Sequence, residues 1–274
     1  MNGIIGAVIG DIVGSLHESF NAGPIKPKYN FKLFTKASCM TDDSICTTAV
    51  AKWLLEDKLH THEYLVKCLH EITMNGKGGG YGGMFYRWLQ SNGKEPFNSF
   101  GNVSAMRVSP VAWFAKDINE CLNLAKISAE VTHNHPEGIK GAQATAAAIF
   151  FNRIGKNKEF IKDYIEHTFE YNLSRKLEDI RPTYKFEVSC QKSVPESIIC
   201  WLESKDYEDC IRKAVWMGGD TDTMAAIAGS ICAANKETPV PDEMIEQAFD
   251  IAQFPENDEV ILKVLDEFHS RFEI

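Results

Sequence analysis

Gly218-Gly219-Asp220-Thr221-Asp222-Thr223 runs straight into Met224–Ala234, an alanine-rich stretch whose apolar residues recur at spacings of three and four. That period is helical, and small polar residues ahead of it are what a helix start requires. The same order recurs near the beginning of the chain, where Thr41-Asp42-Asp43-Ser44 precedes Ile45–Glu56. Working outward, Glu63–Met74, Cys121–Val131, Gln143–Phe151, Phe160–Phe169, Ile198–Glu203, Cys210–Trp216, Met244–Ala252 and Val260–Phe268 carry the same spacing. Only Tyr184–Val188 alternates, and five residues between Pro182 and Cys190 fit a strand or an extended loop equally well. There is no rhythm of strand and crossover helix, so a doubly wound sheet is not expected. Many helices without a Ser/Pro-rich linker or a fixed-period repeat predict an all-α fold, one compact multi-helix domain over residues 1–274.

Composition narrows the functional classes. Of 274 residues 44% are hydrophobic and 24% charged, enough apolar material for a large core. Twenty-nine Lys and Arg against 38 Asp and Glu give a formal charge of −9, which argues against a general binder of nucleic acid or anionic membrane. The eight cysteines (39, 46, 68, 121, 190, 200, 210 and 232) form no CxxC pair, and Cys46, Cys121, Cys200 and Cys232 sit inside apolar helical patterns. Reduced, mostly buried thiols are the expectation, which favours the cytoplasm. Gly3–Leu16 is apolar but too short to span a bilayer, contains Asp11, and has no basic residue before Lys26.

Chemistry is expected where the helices begin. Each acidic cluster places two carboxylates and threonine hydroxyls at a helix N-terminus, where a plain capping role is the first explanation. Capping needs one such side chain per helix, however, and each cluster supplies about four. Four carboxylates with two threonine hydroxyls form an all-oxygen set that suits Mg²⁺ or Mn²⁺ rather than zinc. Nothing in the spacing alone makes the two clusters meet.

Other segments carry weaker signals. Gly78, Gly80 and Gly83 formally satisfy GxGxxG, but no strand precedes them and no Gly-Lys-Ser/Thr follows, so neither a dinucleotide fold nor a P-loop is expected. Bare glycine backbone in Asn75–Gly83 can still approach a phosphate. Gly101-Asn102-Val103-Ser104-Ala105-Met106-Arg107 is a small-residue turn leading into a helix, with Arg107 able to face an anion. His133 and His135 lie in one loop without a third nitrogen or sulfur ligand, so a polar contact is favoured over zinc. Gly6, Gly10 and Gly14 form one small face on the first helix that would let another helix pack closely, and Glu18 lies just past its end.

Gly10–Ser15, Thr41–Ser44, Gly101–Arg107, Thr132–Gly141, Ser193-Val194-Pro195-Glu196 and Gly219–Thr223, taken in this order, closely resemble the ADP-ribosylglycohydrolases, including the type that reactivates dinitrogenase reductase. The likeness runs from about residue 3 to about residue 235. It implies an all-α fold with two Mg²⁺ or Mn²⁺ ions at the base of an ADP-ribose cleft, held by Thr41, Asp42, Asp43, Asp220, Asp222 and Thr223. Asp43 and Asp222 are then the most critical ligands, and Glu18 matches a glutamate that adjusts metal or water. By the same resemblance Gly80, Tyr81, Gly82, Gly101, Asn102, Ser104, Met106, Arg107 and His133 contact the substrate. Ser44 stands where many members have threonine, and Val103 replaces a glycine of the usual Gly-Asn-Gly.

The implied activity is hydrolysis of the bond between ADP-ribose and an acceptor, either a modified protein side chain or a small ADP-ribose conjugate. Gly14–Glu18 is somewhat more similar to serine-directed than to arginine-directed members. The protein is expected to act as a monomer, with no membrane or general nucleic-acid partner. The competing readings are a non-catalytic ADP-ribose binder or structural relative, and a two-metal phosphoesterase.

Overall fold

The computed structural model describes residues 4–18, 26–75, 80–91, 93, 95–251 and 259–272. Along them run α1 (Ile4–Gly14), α2 (Asp42–Glu56), α3 (His62–Asn75), α4 (Gly83–Gln90), α5 (Val103–Met106), α6 (Ser109–Phe114) and α7 (Ile118–Glu130). There follow α8 (Pro136–Arg153), α9 (Lys158–Phe169), α10 (Leu177–Ile180), α11 (Cys190–Leu202), α12 (Tyr207–Met217), α13 (Thr221–Cys232), α14 (Asp242–Ile251) and α15 (Glu259–Phe272). Among the described residues there is no strand. The fold is all-α, as the periodicity requires.

Two helices form the centre. Every residue of α1 and every residue of α13 is buried, the pattern of a helix apolar on all sides. They lie against each other because both are small where they meet. A Cβ added to Gly10 would sit 2.2 Å from the carbonyl oxygen of Ala225, and one on Gly14 would sit 2.4 Å from that of Thr221. From the other side, a Cβ on Gly229 would meet the Gly6 carbonyl oxygen at 2.5 Å. The expected small face of α1 therefore has a partner. The glycines bring the last turn of α1 beside the first turn of α13, and Thr221 Oγ1 closes the joint by donating to Gly14 O at 2.8 Å.

Several helices begin before their apolar period does, because a cap starts them. The side chains of Asp117, Asn157 and Asp206 accept from the backbone N–H three residues on, fixing the starts of α7, α9 and α12. Thr132–Gly141 and Pro182–Pro195, although rich in turn-forming residues, are helical in their second halves. In the first, His135 caps α8 and Pro136 occupies the first helical position, where its missing N–H costs nothing. In the second, α11 carries Pro195 inside it. Tyr184–Val188 is extended but belongs to no sheet. One isolated bridge pairs Gly101 with Ser189, Asn102 N–H donating to Val188 O and Cys190 N–H to Phe100 O. All eight cysteines are free, seven of them buried. Among the described residues no helix is long and apolar enough to cross a membrane.

Candidate metal centre

The joint between α1 and α13 positions the acidic side chains. Ahead of α13, Gly218 and Gly219 take φ of 76° and 85°, a region that favours glycine. A Cβ on Gly219 would also come within 3.0 Å of Tyr184 and of Lys185 O. The turn they make sets Asp220 at the helix start and Asp222 in the first turn, beside the end of α1.

The second cluster is brought in by a residue the sequence did not mark. Asp11, fully buried in α1, accepts from Thr41 N–H at 2.9 Å, Thr41 Oγ1 at 2.7 Å, Ser44 N–H at 3.1 Å and the Ser44 hydroxyl. It thus carries much of the capping at the N-terminus of α2 from another helix, beside Thr41, which accepts from Asp43 N–H at 3.3 Å. In the sequence it stood out only as a lone charge inside the apolar run Gly3–Leu16 and as part of the Gly10–Ser15 motif.

The clusters meet. Single carboxylate oxygens of Asp11, Asp43 and Asp222 lie within 4.8 Å of one another, and so do those of Glu18, Asp220 and Asp222. Asp222 belongs to both groups. Thr223 Oγ1 lies 3.4 Å from Asp43 Oδ2, and Thr41 Oγ1 3.3 Å from the same oxygen. Asp42 is in neither group, although it is buried close by. Its Oδ1 faces Gly80, whose φ is 110° and whose added Cβ would lie 2.5 Å from that oxygen. Only Glu18 is exposed.

So many acids in one buried place repel one another. Burial first, and the charge of Asp222 second, push Asp11 and Glu18 up to about 7. The same two causes hold Asp42, Asp43 and Asp220 well above the usual carboxylate range. Among the described residues no Lys or Arg pairs with any of them, and Asp43 Oδ1 is buried without a hydrogen-bond partner. Shared, hard, uncompensated oxygens of this kind fit divalent cations.

The remaining candidates divide. Asn102, buried, donates from Nδ2 to Asp220 Oδ2 at 2.7 Å, so its side chain braces the acidic centre. Met106 lies beneath it, Sδ 3.8 Å from Thr223 Oγ1. Ser104 spends its hydroxyl on Gly138 O at 2.7 Å. Arg107 does not face an anion: it is fully buried, and Nη2 donates to Ser128 O and Thr132 Oγ1. His133 is buried with Nε2 beside Gly101, and burial followed by the charge of Arg107 holds it well below its ordinary pKa. Tyr81 stacks on Phe85, its hydroxyl buried without a partner. Gly82 is open, with nothing within 4 Å of an added Cβ. The glycines at 76, 78 and 79 lie outside the described residues.

Comparison with known proteins places the chain in a family and supports its fold. The ADP-ribosylglycohydrolase family pattern matches residues 1–273. The chain is 22% identical over 302 residues to the bovine protein named ADP-ribosylhydrolase ARH3 and 23% identical to its human counterpart, covering 84% of this chain and 83% of each relative. An uncharacterized protein of Archaeoglobus fulgidus is 30% identical over 158 residues, about half the length of either chain. A solved structure described as an ADP-ribosylglycohydrolase-related protein complex superposes with a TM-score of 0.73 at 17% identity, over 98% of this chain and 96% of that one, which speaks to the fold.

Proposed function

Because the chain belongs to the ADP-ribosylglycohydrolase family, we propose that it hydrolyses the glycosidic bond between ADP-ribose and an acceptor, a modified protein side chain or a small ADP-ribose conjugate. The observation that carries this reading is the pair of carboxylate groups sharing Asp222, one of which includes Asp43 with a buried oxygen left unpartnered. Two Mg²⁺ or Mn²⁺ ions would be held by Thr41, Asp42, Asp43, Asp220, Asp222 and Thr223, and when bound would orient ribose hydroxyls and acidify a water.

The chain's own residues do the rest. Glu18, the exposed member, holds the attacking water and takes its proton as the bond from water oxygen to ribose C1 forms. The bond from C1 to the acceptor breaks with its electrons going to the acceptor, which then gains a proton. Negative charge around Asp222 stabilises the cation-like ribose on the way. Gly80, Tyr81 and Gly82 on one side and Gly101 and His133 on the other contribute backbone and ring N–H groups to the ribose and diphosphate. The inward-turned Arg107 makes no direct contact.

The test follows the products of a defined ADP-ribosylated substrate by mass, with Mg²⁺ or Mn²⁺ present. Release of intact ADP-ribose is the expected result. Release of phosphate would favour a two-metal phosphoesterase, and ADP-ribose bound without turnover a non-catalytic relative; either would overturn the reading. Substrates linked through arginine, serine and acetyl groups then assign the acceptor.

A further inference from the structure

Among the described residues, Arg107 is a buried cation with no acid paired to it. The guanidinium leaves α5 and reaches the end of α7, where Nη2 donates to Ser128 O at 2.7 Å and to Thr132 Oγ1 at 2.9 Å. The Ser128 carbonyl and the dipole of the α7 C-terminus favour a positive charge there. Burial pushes it down only to about 10, so it remains charged at neutral pH. They do not account for the second contact, and that one has a direction.

A guanidinium only donates. Thr132 Oγ1 must therefore accept from Arg107. Thr132 is fully buried, and the one other hydrogen-bond neighbour of its Oγ1 among the described residues is His133 Nδ1 at 2.7 Å. If Nδ1 carried the ring proton, Thr132 would accept twice and strand its own buried hydroxyl proton. With the hydroxyl donating to Nδ1, Thr132 Oγ1 both accepts from Arg107 and donates to the ring, and no hydroxyl proton is stranded. His133 is neutral for the reasons given above, so its single proton then resides on Nε2, the nitrogen facing Gly101.

We propose that Arg107 and Thr132 are positioning residues that lock His133 in the Nε2–H form, making it an obligate hydrogen-bond donor toward the Gly101 turn. Asn102, the next residue in that turn, braces Asp220, so the donor points along the same segment that borders the acidic centre. A neutral donor suits a phosphate or hydroxyl oxygen and cannot accept from a ligand N–H. The ligand named here, ADP-ribose through an oxygen of its diphosphate or ribose, rests on the proposed function; the tautomer does not.

Imidazole proton–nitrogen spectra of protein labelled with ¹⁵N-histidine, with His133 assigned from its loss in His133→Gln, read the tautomer directly. The expected result is a neutral ring protonated at Nε2 in the wild type, and a mixture or the other tautomer in Thr132→Val. ADP-ribose affinity, measured by calorimetry, should fall roughly tenfold in Thr132→Val, about the worth of one hydrogen bond, while Thr132→Ser restores both tautomer and affinity. A wild-type ring protonated at Nδ1, or a folded Thr132→Val with an unchanged tautomer, would overturn the relay. The wild-type spectrum decides the tautomer whether or not Thr132→Val folds. A protein that binds no ADP-ribose yet shows the Nε2 form would overturn the functional reading and support the relay.

Discussion

The N-termini of α2 and α13 have nearly the same composition and are built in different ways. At α2 the exposed backbone donors are satisfied partly from outside, Asp11 taking Thr41 N–H and Ser44 N–H, so that Asp42 and Asp43 are relieved of capping. At α13 the N-cap side chain makes no capping bond. Asp220 occupies the capping position without making the bond and instead accepts from Asn102, while Asp222 reaches only the neighbouring Thr223 N–H at 2.9 Å. An acid at a helix start is thus not evidence of capping until the partner of each N–H is known. Both arrangements release carboxylates, one by delegation and one by default.

The sharpest way to break the comparison is to remove the residue both groups share. Asp222→Asn should lower turnover by about 10²-fold or more, as should Asp43→Asn, with the fold retained by circular dichroism. If both variants turn over near the wild-type rate, the acids are caps after all.

Next in size is the joint that brings the two termini together. Gly10→Ala drives a methyl into the Ala225 carbonyl, and a clash with backbone cannot be relieved by a rotamer change. A loss of about 3 kcal/mol is expected in denaturant unfolding, with turnover falling as well. Unchanged stability would mean the helices are not held at this distance.

The third measurement uses pH. A carboxyl group whose folded pKa is raised stabilises the protein only while protonated. The contribution of Asp11 and Glu18 is therefore fully present below about pH 4 and lost as pH rises through about 7. Thermal melts in chelator should show the metal-free protein weakening across that window. Added Mg²⁺ or Mn²⁺ should recover about 2.7 kcal/mol at 100 times its dissociation constant, most visibly at the upper end. A melting temperature flat in both pH and metal would contradict a shared buried centre.

The smallest effect separates the two termini. Asn102→Ala removes the brace on Asp220 and leaves Asp11 and α2 untouched, so about 1 kcal/mol of stability should be lost. Metal affinity should weaken a few-fold, and equal weakening on removing an exposed residue such as Lys116 would show the brace to be immaterial.

How much of this was legible varies with range. The helical period, the paired clusters and the glycine face are local patterns, and each was readable from residues three or four apart. Asp11 was not, because its role is defined by partners 30 and 33 positions away. Arg107 was read from its neighbours as facing an anion, whereas the end of α7 claims it. Helix α11 was missed at its start because Pro195 and the serines around it are turn formers locally. Within the fold, Ser193 and Ser197 bond back to the carbonyls four residues earlier and the helix runs through. Helices α5 and α6, of four and six residues, are too short to display a period.

The joint between Gly14 and Thr221 spans 207 positions of sequence. During synthesis α1 leaves the ribosome first and α13 long afterwards, roughly 10–40 s later at ordinary elongation rates. For that interval α1 is an apolar helix whose principal neighbour does not yet exist, and Asp11 has no centre to belong to. The acidic site therefore closes among the last events of folding, after loop closure over most of the chain has been overcome. A nascent chain arrested between Asp43 and Asp220 contains four of the six acidic residues but lacks Asp222, the one that both groups share.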